Sequence, residues 1–119
     1  MAPSSLHQLV PQFATLSTEL SMHELLQAVW TQLEKDIHGL GLVISPAPGL
    51  ELPLMHQHLV TILSELAPGS LPEFLYRVDL PETSEVLDPS TTDFFENLAW
   101  QILRREALKV YFRMHYAGQ

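Results

Sequence analysis

Apolar residues recur at helical spacing along most of the chain, and prolines and glycines cut that pattern into segments. Over residues 21–38, Met22, Leu25, Leu26, Val29, Trp30, Leu33 and Ile37 fall within an arc of about 140° on a helical wheel. Glu24, Gln27, Thr31, Glu34, Lys35 and His38 lie opposite, which predicts an amphipathic helix with Trp30 inward. Ser21 and Glu24 have capping-box spacing, in which each side chain satisfies the other's free backbone N–H. Gly39 stands where a left-handed C-terminal cap belongs.

Upstream, Leu6, Leu9, Val10, Phe13, Leu16 and Leu20 share a stripe that Pro11 interrupts, so a new first turn or a kink is expected there. Continuing this wheel past residue 20 places the two apolar arcs about half a turn apart. One straight helix cannot bury both, and a break near Ser21 follows. Residues 39–53 lose the period yet stay apolar, as an interhelical connection held to the core would. A third helix is predicted over residues 53–66, with Met55, Leu59, Val60, Ile62, Leu63 and Leu66 inward and Gln57, His58, Thr61, Ser64 and Glu65 outward.

Residues 71–80 fit two periods. Phe74, Tyr76, Val78 and Leu80 alternate as a strand would, while Leu71, Phe74, Leu75 and Val78 repeat as a helix would. Ser70 with Glu73 repeats the capping-box spacing and Pro81 ends the run, which favours the helix. A minor two-stranded element with residues 40–45 is the alternative. The last segment, residues 93–116, is the longest. Phe95, Leu98 and Ile102 mark one apolar side, and Ala99, Leu103, Ala107, Val110 and Met114 mark another. Two such sides require burial on two sides, either at the centre of a bundle or between the domain and a partner. The expected fold is therefore all-α: a compact bundle of four or five helices in a single domain over residues 1–119, with the C-terminal helix central.

Composition narrows the functions. At 119 residues the chain can bury an ordinary core without staples, and with no Cys it has neither disulfides nor thiolate chemistry. The formal charge is −8, but it is unevenly spread: residues 1–103 hold thirteen acids and two cations, whereas residues 104–119 hold Arg104, Arg105, Lys109 and Arg113 against Glu106. A basic helix end beside Tyr111, Phe112 and Tyr116 resembles a nucleic-acid surface. Helix-dipole compensation explains the same charges, Glu106 can pair with Lys109 or Arg113 on the helix surface, and the overall charge repels a polyanion. No nucleic-acid partner is expected; the basic strip can instead dock on the acidic remainder of this chain or of a partner.

Six histidines are present, but no two are three or four residues apart, and His56 and His58 diverge by about 200° on a helix. No metal site and no cofactor are expected. Gly-x-Ser-x-Gly, a phosphate-binding glycine loop and His-Glu-x-x-His are all missing, which argues against an enzyme. Asp79, Glu82, Glu85 and Asp88 read as a solvated turn. The first 18 residues lack cations and a long apolar run, and no stretch approaches the ~20 apolar residues of a membrane span, so a cytoplasmic protein without a membrane partner is expected.

The leading expectation is a small interaction module of adaptor, chaperone or inhibitor type. It would bind a protein partner or itself through Trp100, Leu103, Ala107, Val110, Tyr111 and Met114 of the last helix. The alternative is a small-ligand or metal-binding protein, enzymatic or not, with an interhelical pocket near His56, Tyr76 and Arg77.

Overall fold

Helices follow the apolar segments. The computed structural model describes residues 3–15, 20–42, 44, 51–67, 69–80 and 93–117. Among these are five α-helices: α1 (Leu6–Leu9), α2 (Met22–Asp36), α3 (Leu52–Ser64), α4 (Leu71–Arg77) and α5 (Phe94–Ala117), with a 3-10 helix over Pro11–Thr15. No strand occurs among the described residues, and residues 71–77 are helical. The protein is all-α, and the two-stranded alternative does not form there; Val43 and Ser45, which it needed, lie outside the described residues.

Local chemistry sets the helix ends. Val10 precedes a proline and is held extended (φ −134, ψ 93), so α1 stops and a tighter turn starts at Pro11. Leu6, Leu9, Val10 and Phe13 are buried as the stripe requires, but Leu20 is exposed, and Leu16 lies outside the described residues. The capping box of α2 is complete: Glu24 N–H donates to Ser21 Oγ at 3.1 Å, and Ser21 N–H to Glu24 Oε1 at 3.4 Å. Ser21→Ala is expected to cost about 1 kcal/mol, read as a lower urea midpoint at unchanged slope. Gly39 has positive φ, as a residue after this helix end should.

The second capping box does not form. Ser70 is already in the helical region (φ −90, ψ −18), because its N–H closes a turn onto Ala67 O at 2.9 Å. Glu73 is used elsewhere, accepting from Arg77 Nε at 3.2 Å. The C-terminus of α4 is closed more firmly. Leu80 N–H reaches Leu75 O, Asp79 N–H reaches Tyr76 O, and Asp79 takes the left-handed conformation (φ 60) usually given to glycine. Arg105 of α5 then anchors Asp79 through both its carbonyl (3.2 Å) and its carboxylate (2.5 Å).

Helix α5 is central, packing mainly on α2 and α3 and also against α1. Leu98, Ala99, Ile102, Leu103, Ala107 and Val110 have no exposed surface, so both apolar sides of its inner half are used within the chain. Opposite them lie Leu25, Leu26, Val29, Trp30 and Leu33 of α2 and Leu52, Met55, Leu59 and Leu63 of α3, all in one continuous core. His58, expected outward on α3, is instead half-buried against Trp30, with ring centroids 5.5 Å apart. No helix among the described residues is long and apolar enough to cross a membrane.

Candidate functional site

One carboxyl group sits inside the core. Glu106 is fully buried on α5, so its pairing is not the surface contact that the sequence suggested. Lys109, one turn on, donates to Glu106 Oε1 at 3.0 Å and also to Asp36 Oδ2 at the end of α2. Gln32 Nε2 donates to the other Asp36 oxygen at 2.8 Å, and Arg113 reaches Gln32 Oε1 at 2.6 Å rather than Glu106. The network therefore crosses the α2–α5 contact at a defined register.

Burial and partners separate the two carboxyls. Desolvation first, then the hydrogen bond to Asp36, pushes Glu106 up to about 8, against the opposing effect of Lys109. Burial also pushes Asp36 up, but the hydrogen bonds from Glu106, Lys109 and Gln32 together outweigh it and hold Asp36 below its ordinary value. Lys109 thus forms its ion pair with Asp36, while Glu106 is neutral at pH 7. Glu106 Oε2 is buried and faces no donor among the described residues, which a carboxylate would need and a protonated acid does not.

A carboxyl held near neutrality is the kind of group that general acid–base catalysis uses. Here it is closed off from solvent. Glu106 has no exposed surface, and neither it nor Asp36 lines the clefts beside Leu80, Ser70, Ile44 and Leu52. Its role is to key α5 onto α2.

The outer side of α5 differs. Phe112 is 43% exposed and Tyr116 63%, one turn apart with their rings roughly parallel and 6.3 Å between centroids. Of the residues that the sequence offers for partner binding, Leu103, Ala107 and Val110 are core. Trp100, Tyr111 and Met114 are half-buried at its margin. Trp100 stacks on His56 (3.8 Å, 13°), and Tyr111 meets Phe13 edge-on at 5.6 Å. Those two contacts fasten α5 to α3 and to the 3-10 helix. The sequence offered Phe112 and Tyr116 only as part of a nucleic-acid surface, because Phe112 lies off both apolar sides of the wheel and Tyr116, in line with Leu98, lies well beyond Ile102, where that side ends.

His56, Tyr76 and Arg77 do not converge. His56 spends its ring on Trp100 and donates from Nε2 to Glu96 O at 2.8 Å. Arg77 is bound to Glu73 and reaches His38 O, and Tyr76 is 79% exposed. Arg77 alone of the three lines a cleft of about 320 Å3, together with Leu40, Leu42, Ser70 and Glu73. A second cleft of about 380 Å3 lies between the turn after α4 and the outer side of α5, lined by Asp79, Leu80, Gln101, Arg104, Arg105 and Leu108. Among the described residues no three His, Asp or Glu side chains gather as a metal-ligand set. No known protein family, curated protein or solved structure matches the chain.

Proposed function

We propose that this protein is a non-enzymatic, intracellular interaction module that binds a protein partner through the outward side of the C-terminal half of α5. The observation that carries the proposal is the exposed pair Phe112 and Tyr116, presented by a helix whose inner side is locked in the core. A large aromatic ring on a rigid backbone loses little entropy on binding, which is why such residues dominate interfaces. Trp100, Tyr111 and Met114 border the patch and supply further apolar area if a partner covers it.

The absence of a catalytic reading has support of its own. Among the described residues, the one carboxyl with a strongly shifted pKa is sealed, and it joins α5 to α2. The double variant Phe112→Ser, Tyr116→Ser is expected to unfold within about 0.5 kcal/mol of the parent, as exposed substitutions do, yet to lose the partner captured from the native host. Retention of that partner by a folded double variant would refute the proposal.

A further inference from the structure

We infer that the partner presents an acidic amphipathic helix, which lies along the outer side of α5 over the cleft beside Leu80. The inference rests on the interaction-module reading and names the chemistry of its partner. Gln101, Arg105, Leu108, Phe112 and Tyr116 are spaced by four, three, four and four residues, so they form one stripe along the helix. The stripe runs about 22 Å, the length of a partner helix of roughly 15 residues. Leu80 and Leu108 are half-buried and floor one end, and the exposed rings of Phe112 and Tyr116 form the other.

Charge selects the partner. Arg104 is exposed beside the cleft and has no hydrogen bond or ion pair among the described residues. Its neighbour Arg105 is held by Asp79 through Nε and Nη2, so it adds positive charge beside the cleft rather than a second free fork. The free guanidinium of Arg104 beside an apolar floor suits Glu or Asp flanking apolar anchors, since it can take a carboxylate with two parallel hydrogen bonds.

The same observations disfavour a nucleic acid and a second copy. Lys109 and Arg113 are committed to α2, which leaves too few cations to follow a phosphate backbone, and the whole chain carries −8. A two-fold pairing of the stripe about Leu108 would set Arg105 opposite Phe112 and bring no carboxylate to Arg104, which an acidic partner supplies.

The test is a displayed library of 16-residue peptides with Leu or Phe fixed at helical spacing and Glu, Lys, Ser or Gln at the flanking positions, selected on the purified full chain. Enrichment of Glu over Lys is expected. The selected peptides should bind Arg104→Glu at least roughly tenfold more weakly at unchanged Tm, and should weaken as salt rises. Selection without charge preference, or equal binding to Arg104→Glu, overturns the acidic-helix inference; if Phe112→Ser still abolishes that binding, the interaction-module reading survives. A dimer seen by light scattering and broken by Phe112→Ser assigns the stripe to a second copy and likewise overturns the inference. Failure to enrich any peptide, with host capture unaffected by the Phe112→Ser, Tyr116→Ser variant, removes both.

Discussion

Glu106→Gln stabilises the folded protein at pH 7 by about 3 kcal/mol, a rise in Tm of roughly 10 °C. The carboxyl stays protonated up to about pH 8 when folded, but only to its ordinary 4.5 when unfolded. A folded-state value raised in this way means that the stability it confers is complete below 4.5 and is lost as pH rises through 8. Each pH unit in that window costs about 1.4 kcal/mol. Glutamine keeps the neutral shape, can donate to Asp36 and accept from Lys109, and titrates in neither state. Parent and variant should therefore coincide near pH 4 and diverge steadily to pH 8. Urea melts across that range test the point, and a parent whose stability increases from pH 5 to 8 would show that Glu106 is ionised in the core. Asp36 acts in the opposite sense: its lowered value gives stability that is lost only as pH falls below its ordinary 3.8.

Lys109→Met destabilises by about 3 kcal/mol, since it leaves the Asp36 carboxylate without its cation. Breaking a fully buried pair costs about 3–5 kcal/mol, and the lower end applies because Asp36 keeps 14% of its side chain exposed. Methionine preserves the volume of the lysine stem, so the loss reports charge rather than packing. The double variant Asp36→Asn, Lys109→Met should recover most of it, because no unpaired charge remains. A double-mutant cycle on chemical unfolding measures this coupling. Additive losses would mean that the two groups do not interact in solution.

Most of the fold was legible because its signals are local. The arc from Met22 to Ile37, the Ser21 and Glu24 box and the stop at Pro11 each depend on residues a few positions apart, and each appears in the structure. The failures come from tertiary context. Ser70 had capping-box spacing, but a turn on Ala67 fixed its backbone and Arg77 took Glu73. His58 was assigned outward by its polarity, although Trp30 gives it an aromatic neighbour.

Glu106 is the instructive case. On the wheel it falls between Ile102 and Val110, about 40° from each, at the middle of the arc that becomes core. Its position announced burial, whereas its charge suggested surface, and the deciding partner Asp36 lies 70 residues earlier in the chain. The sequence reading put an interaction surface along the apolar sides of the last helix. Those sides proved to be needed by α2 and α3, and exposed aromatic area remains at Phe112 and Tyr116.

Helix α5 is proposed to divide its work, with the inner side holding the fold and the outer C-terminal side holding a partner. The most direct test of that division is a photo-crosslinking amino acid placed at position 116 and, as a control, at the exposed position 27 on α2, in the native host. One discrete cross-linked protein species is expected from position 116 and none from position 27. Cross-links of equal pattern from both positions, or none from 116 while 27 yields a discrete product, would contradict it.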